Sequence, residues 1–400
     1  MARKNIISAI DIGTGTIKFL VVGKGKKEEE PELLKLHQVP SSGIRKGTVI
    51  NCEEASNILH LGLEEFQGSL GKKINSAIIN ISGSHIFAAP SRGVIAVSRA
   101  DSKISQEDIE RVLQASQAFS LPSNKEILDI ITKEFIIDGE RGIKEPLGMH
   151  GIRLEAEILA LCGFSPYIKN LTTAVLNAGI QIQDIFISPL SAAKAVLTPK
   201  QKELGVALLD IGAGTTGLAV FEEGELVQIN IFPVGSGHIT NDIAVGLKCD
   251  IDTAERVKIE YGSCFLRGNK KEKVKRLEEE EPLFFSHKTL GRIIEARISE
   301  IFDLVNKELK KISRQGKLPG GIVLTGGGAK LPKIADMARK ELKLHSRIGY
   351  PKGISGLERN PVFSVAAGLI LEGLEPEEGK SFSFGNFPGK IKKIFRIFVP

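Results

Sequence analysis

Apolar residues in this chain gather in short bursts, and two of these bursts end in the same way. Residues 5–12 (Asn-Ile-Ile-Ser-Ala-Ile-Asp-Ile) predict a buried strand that stops at the turn Gly13-Thr14-Gly15-Thr16, and Lys18–Val22 resumes strand character. The segment therefore predicts a hairpin. In the second half, Gly205–Ile211 predicts a strand, Gly212-Ala213-Gly214-Thr215-Thr216 a turn, and Gly217–Phe221 another strand. The pattern Asp-Ile-Gly-x-Gly-Thr thus begins once at Asp11 and again at Asp210. That separation is too long for a solenoid repeat. It predicts two duplicated lobes, each bringing one turn to a shared cleft.

Between the two copies, residues 84–165 have their own local order. Ser105 and Asp108 form a capping box before the helical run Ile109–Phe119,. Residues 126–137 and 152–162 predict strands, separated by a Gly- and Pro-rich loop from Gly139 to Gly151. Residues 168–179 and 189–197 predict helices. Further on, Ile239–Val245 and Thr253–Tyr261 predict helices, and 266–282 changes from basic to acidic, which predicts a solvated surface loop. Apolar residues at Ile293, Ile294, Ile298, Ile301, Phe302 and Val305 predict a long amphipathic helix over about 289–313,. A strand at Gly321–Leu324 runs into Thr325 and the glycines Gly326, Gly327 and Gly328, and 362–372 predicts a last apolar helix. The Ser/Gly/Phe-rich stretch that follows predicts a flexible linker to 387.

The bulk numbers narrow the class. Four hundred residues exceed what one core usually supports,. The four cysteines (Cys52, Cys162, Cys249, Cys264) form no C-x-x-C pair, which suits a reducing cytoplasm rather than a disulfide framework or zinc site,. The N-terminal apolar run is broken at once by Asp11, so no signal peptide is expected, and no stretch approaches the roughly 18 apolar residues that span a bilayer. Most of the net charge of +6 sits on Lys390, Lys392, Lys393 and Arg396, near the end of the chain. A near-neutral body with no Trp and three Tyr argues against nucleic acid as a partner,.

Polyphosphate is held by donors that approach closely, and backbone N–H groups in tight glycine turns supply them. Gly13, Thr14, Gly15 and Thr16 offer such groups with two hydroxyls, and Lys18 adds a positive charge. Gly212, Ala213, Gly214, Thr215 and Thr216 offer the same from the other lobe. Asp11 and Asp210 each end a strand at the mouth of a turn. Two converging carboxylates beside phosphates suit a hydrated Mg²⁺. Gly326, Gly327 and Gly328 leave bare backbone for a flat ring such as adenine. An ordinary glycine hairpin would explain one turn, but not two copies and a third cluster. Neither a Walker A loop nor a Rossmann fingerprint is present.

The order of these segments resembles the actin, sugar-kinase and heat-shock-chaperone ATPase superfamily, with the connecting helix Ser188–Leu197, the adenosine segment Ile322–Lys330 and the final helix Pro361–Leu371. Within it the chain resembles the FtsA family over essentially its whole length. The marks are Lys144–Gly148 and Gly151–Ala156 in the insert, Gly321–Gly328, Arg347–Pro351 and Ile354–Leu357. The likeness implies an α/β, actin-like two-lobed ATPase fold of duplicated ribonuclease-H-like domains, with an inserted α+β subdomain and a C-terminal amphipathic helix. The first lobe would take residues 1–83, 166–198 and 346–371, the insert 84–165, and the second lobe 199–345 with its outer part about 231–312. A linker at 372–387 and a membrane-targeting helix at 388–400 would follow. By the same likeness, Gly235-Ser236-Gly237, the helix carrying Glu255 and Lys258, and Lys330 would line the nucleotide cleft, an exposed Glu255–Lys258 ion pair being the alternative. ATP with Mg²⁺ is the implied ligand. The implied role is a cell-division protein that polymerises, tethers the tubulin-like FtsZ to the inner face of the cytoplasmic membrane and recruits later division proteins. Relatives place Gln or Glu near the start of the connecting helix to orient water. An ungapped comparison puts Ser188 or Pro189 there, so hydrolysis is expected to be slow at most, a neighbouring acid in that role being the alternative.

On a helical wheel Phe387, Ile391, Ile394, Phe395 and Phe398 share one side, and Lys392, Lys393 and Arg396 the other,. A short Lys-rich amphipathic helix after a linker suits the interface of an anionic membrane. A pilus-assembly ATPase of PilM type would share the turns and insert, but the basic tail speaks against it. A small-metabolite kinase would need a catalytic Asp in the insert, where no candidate stands, and a chaperone would need a substrate domain after residue 371.

Overall fold

A computed structural model describes residues 6–24, 30–98, 101–266, 270–274 and 282–374. The chain divides into two units, Met1–Ser84 with Asn170–Leu374, and His85–Lys169 with residues 375–400, the last of which lie outside the described residues. The amphipathic helix expected at 388–400 and almost all of the expected linker therefore lie outside them too.

In the first unit, β1 (Ile6–Ile12), β2 (Thr16–Gly23) and β3 (Glu32–Pro40) form an antiparallel meander. Strands β1 and β2 are largely buried because Ile, Val, Leu and Phe occupy both faces, whereas β3 at the edge buries only Val39,. A small hairpin, β4 (Ile44–Arg45) and β5 (Thr48–Val49), precedes α1 (Cys52–Leu70). The Asn51 side chain caps α1 by accepting from the N–H groups of Glu53 and Glu54, and Gly71, at φ 68°, ends it in the left-handed region,. Leu59, Leu63 and Phe66 bury its inner face, with Phe66 stacked on Phe19 at 5.7 Å. Next, β6 (Ser76–Ile81) joins parallel to β1.

The second unit is a four-stranded antiparallel sheet with one helix. Its elements are β7 (Phe87–Ala96), α2 (Gln106–Ser116), β8 (Lys125–Ile137), β9 (Glu140–Ile143) and β10 (Arg153–Phe164), with sheet order β7-β10-β8-β9. The Ser105/Asp108 capping box opens α2. Ile109, Val112 and Leu113 then pack against Ile130, Leu154 and Ile158. A Cβ at Gly93 would meet the Ser116 Cα at 2.8 Å, so glycine is what lets the helix lie so close to the sheet. Buried Glu155 is paired with Arg92 and Arg153.

The chain continues through α3 (Ser165–Asn177) to β11 (Gln181–Ile187), which completes the sheet β11-β6-β1-β2-β3. After α4 (Ser188–Val196) and α5 (Pro199–Leu204), the plan repeats. A meander of β12 (Val206–Ile211), β13 (Thr216–Glu222) and β14 (Glu225–Phe232) is followed by α6 (Ser236–Leu247), α7 (Ile251–Tyr261), β15 (Lys271–Val274), β16 (Leu283–Ser286), α8 (His287–Lys311), β17 (Ile322–Thr325), α9 (Ile334–Leu342), β18 (Ser346–Ile348) and α10 (Ser364–Leu374). The second sheet has the order β14-β13-β12-β17-β18, with β17 and β18 parallel to β12. Both sheets are a three-strand meander extended by two parallel strands on the side of its first strand. That identity of plan is the duplication the repeated motif predicts. Helix α8, capped by the Ser286 hydroxyl on the Thr289 N–H, buries Ile294, Ile298, Ile301, Phe302 and Val305 in the second lobe's core.

Two expectations need correction. The stretch 266–282 is not loop throughout: β15 pairs with β16, and Val274 is buried because alternation turns it inward beneath exposed Lys271 and Lys273. Residues 267–269 and 275–281 lie outside the described residues. The last helix, expected over 362–372, reaches Leu374.

Candidate nucleotide site

The two repeated turns are built alike. Each glycine that opens a turn donates its N–H to the carbonyl three residues on, Gly13 to Thr16 at 3.2 Å and Gly212 to Thr215 at 2.9 Å. The turns meet. A Cβ at Gly15 would lie 2.8 Å from the Ala213 Cβ, and one at Gly214 would lie 2.7 Å from Thr14 Oγ1. The glycines are therefore required by close approach as well as by turn geometry. The β4–β5 hairpin touches the first turn, where Gly47 N–H donates to Thr14 Oγ1 at 2.9 Å.

The copies differ in what faces each aspartate. Across β1–β2 the register partner of Asp11 is Lys18, and Lys18 Nζ bonds Asp11 Oδ2 at 2.7 Å in a buried pair. Across β12–β13 the partner of Asp210 is Gly217. A Cβ at Gly217 would lie 2.7 Å from Pro189 Cγ, so that position is glycine to admit the start of α4. Burial first, then the charge of Asp11, push the Asp210 carboxyl up to about 7 against the opposing effect of Lys18. Asp210 thus feels the charge of Asp11, the arrangement in which a cation relieves repulsion,.

Gly235 packs on the second turn, where an added Cβ would lie 2.8 Å from Ala213 O. The N–H groups of Ser236 and Gly237 donate to Gly212 O and Ala213 O, both at 2.8 Å, and Gly235 N–H donates to His238 Nδ1 at 3.1 Å. The Ser236 and Gly237 donors brace the turn, and all three N–H groups are occupied. Glu255 and Lys258 form an ion pair at 2.6 Å that is tied to this corner, since Lys258 Nζ also donates to Thr240 Oγ1 and to Ser236 O. The alternative of an ion pair is thus realised, in contact with the helix that seats the second turn.

In the third cluster, Gly326 stands at φ 84° with its N–H on Pro361 O at 3.1 Å. Gly328 packs on Ile211, immediately after Asp210, whereas a Cβ at Gly327 would meet nothing within 4 Å. Bare backbone is therefore open at Gly327. Exposed Lys330 lines a cavity of about 500 Å³ with Tyr350 and Arg359, and that cavity takes in none of the residues of the two glycine turns. No group of three or more His, Cys, Asp or Glu side chains gathers as a metal site among the described residues. Two carboxylates at the mouths of paired glycine turns have the chemistry that suits Mg²⁺, which keeps several waters and needs no protein cage.

Sequence reasoning missed Asn80, at the end of β6. Its side chain bonds Asp11, Ile12 and Ser188 together. The available signal was a polar residue closing an apolar strand, the same feature that singles out Asp11 and Asp210. Ser188 Oγ donates in turn to Ile81 O at 3.1 Å.

Duplicated sheets of one plan, with paired glycine turns meeting at the ends of their first strands, define an actin-like protein with an inserted domain. Solved structures share the fold. The PilM–PilN type IV pilus biogenesis complex aligns with a TM-score of 0.67 at 17% identity, over 93% of this chain and all of that one. MreB 5 of Spiroplasma citri bound to AMPPNP aligns with a TM-score of 0.54 at 16% identity, over 92% and 96%. The family model "Cell division protein FtsA" matches residues 207–368, and "SHS2 domain inserted in FTSA" matches 83–162. The cell division protein FtsA of Pseudomonas aeruginosa is 34% identical over 385 residues, covering 94% of this chain and 92% of the relative. The chain belongs to the FtsA family of cell-division proteins.

Proposed function

We propose that this chain binds ATP with Mg²⁺ between its two glycine turns, polymerises, and holds FtsZ filaments to the inner face of the cytoplasmic membrane through residues 388–400. The observation that supports nucleotide binding most is the meeting of the turns, with Thr14 against Gly214 and Asp210 within reach of the Asp11 charge. In this reading Gly13–Thr16 and Gly212–Thr216 hold the phosphates, and Asp11 and Asp210 hold the metal through water. Gly326–Gly328 and Lys330 flank the adenosine, while Gly235, Glu255 and Lys258 support the second turn. Mg²⁺ would supply charge neutralisation of the phosphates.

Ser188 carries neither carboxylate nor carboxamide, and its hydroxyl is engaged with Asn80 and Ile81. Water is left without an orienting base at that position, so hydrolysis is slow and ATP acts as a ligand that favours the state binding it best. Among the described residues no helix is long and apolar enough to cross a membrane. Attachment falls to the tail. Each apolar residue there adds up to about 1.5–3 kcal/mol and each basic residue about 1 kcal/mol at an anionic surface. Ordering a helix too short to be stable in water opposes this, so one copy binds reversibly and linked copies bind tightly.

The test is co-sedimentation with anionic vesicles and ATP, comparing the full chain with one ending at Gly385. Loss of binding with the tail, and steep dependence on protein concentration, are expected. Equal binding by the truncated chain would refute the tether.

A further inference from the structure

We propose that Asn80 is a positioning residue for the metal-binding carboxylate of Asp11. It also couples that carboxylate to the start of the connecting helix α4. The inference rests on the reading above, in which Asp11 and Asp210 hold hydrated Mg²⁺ beside the phosphates of ATP.

Asn80 is the next-to-last residue of β6, which runs parallel to β1 through Ala9↔Ile78 and Ile10↔Ile79. That pairing sets its side chain beside the end of β1, and only 3% of the residue is exposed. Oδ1 accepts the Ile12 N–H at 2.6 Å. Nδ2 donates to Asp11 Oδ1 at 3.1 Å and to Ser188 Oγ at 2.9 Å. The partners fix the amide's orientation, because a backbone N–H requires the oxygen and a carboxylate requires the nitrogen. The other Asp11 oxygen accepts from Lys18. Both oxygens of Asp11 are therefore held by donors, and its rotamer is set by partners on two neighbouring strands, β2 and β6.

Asparagine suits this place because one side chain must accept from a main-chain amide and donate to a carboxylate. Aspartate has no donor when ionised, and an aliphatic residue would leave Ile12 N–H unpaired. If Asn80 served the backbone alone, its loss would loosen the turn and weaken nucleotide with or without metal. If it acts through Asp11, its loss falls on the metal. Partners that orient a metal-binding group typically carry about 10–100-fold in metal affinity.

The experiment uses the full chain and a fluorescent ATP analogue, titrated with Mg²⁺ and repeated in EDTA. Asn80→Ala should raise the Mg²⁺ midpoint about tenfold or more. It should leave affinity in EDTA within about twofold, as for independent sites. In an Asp11→Asn background, Asn80→Ala should shift the midpoint no further. Asn80→Ser, whose hydroxyl is too short to reach Asp11, should repeat the effect and decides the matter if the alanine variant fails to fold. A wild-type Mg²⁺ midpoint in either folded variant, or an equal loss with and without metal, would overturn the role of Asn80 and leave the metal reading standing. A wild-type protein whose nucleotide affinity ignores Mg²⁺ would overturn the metal reading, and the role of Asn80 with it.

Discussion

Thr14 and Gly214 face each other across the two halves of the first unit, so closely that a Cβ on Gly214 would lie 2.7 Å from Thr14 Oγ1. Thr14 Oγ1 already accepts from Gly47 N–H, which leaves its own proton to donate to a ligand,. Replacing Gly214 by alanine should push this hydroxyl out of register. Overpacking typically costs about 1–3 kcal/mol, so ATP affinity should fall about tenfold or more. Gly71→Ala serves as the comparison, since a Cβ there meets nothing within 4 Å. Its φ of 68° makes it cost stability, but it should not cost ATP affinity,. Equal affinity losses in the two variants would contradict the interlocking of the turns.

Membrane attachment should depend on the apolar side of the tail. Phe395→Glu removes a side chain worth up to about 1.5–3 kcal/mol of burial and adds a like charge at an anionic surface. Vesicle binding should fall at least about tenfold, and high salt should weaken what the wild type retains. Lys393→Gln should cost less, because one basic residue contributes about 1 kcal/mol. A Phe395→Glu protein that still sediments fully with vesicles would exclude the tail as anchor.

Acid should weaken the inserted domain through Asp108. Burial raises this carboxyl, but the hydroxyl and N–H groups of Ser105 and Ser98 outweigh it and hold the pKa well below the ordinary 3.8. Since the folded value is the lower one, the unfolded chain takes up a proton first as pH falls. The stabilisation is complete above the ordinary carboxylate range and drains away below it. Asp108→Asn should therefore be less stable than wild type at pH 7, with the gap narrowing below about pH 4. Urea unfolding at pH 7 and near pH 3 measures both, and an unchanged gap would reject the assignment.

The duplicated fold was legible because Asp11-Ile-Gly13 and Asp210-Ile-Gly212 carry their chemistry in adjacent residues. Local signals also located α2, whose capping box spans Ser105 to Asp108, and α8, whose apolar stripe repeats at helical spacing. Helix α1 escaped notice although Asn51 caps it and Gly71 ends it, because its buried stripe is interrupted by Ser56 and Gly62. The strand β15 was hidden by its charges, its single inward Val274 being too little alternation to register. Asn80 was out of reach for another reason. Its partners Ile12 and Ser188 stand 68 and 108 residues away, so the network exists only once β6 lies beside β1 and α4 begins at the end of β11.

The buried cysteines allow the two units to be followed separately. Cys162 lies on β10 in the core of the inserted unit, and Cys264 in the core of the second lobe. Burial pushes the Cys162 thiol up to about 11 and the Cys264 thiol up to about 12, with Glu295 adding to the latter and Lys125 opposing in the former. Thiolate is the reactive form, so neither should label until its unit opens. With Cys52 and Cys249 changed to Ser, slow labelling under native conditions then reports opening of each unit. ATP with Mg²⁺ at about 100 times its Kd stabilises the state that binds it by about 2.7 kcal/mol, which slows opening-limited labelling by up to about a hundredfold. The turns and glycine segment that would hold ATP all lie in the first unit. Labelling of Cys264 should therefore slow on adding the nucleotide while that of Cys162 keeps its rate. Equal slowing at both thiols would mean that the inserted unit opens only with the body, and no slowing at either would count against nucleotide binding itself.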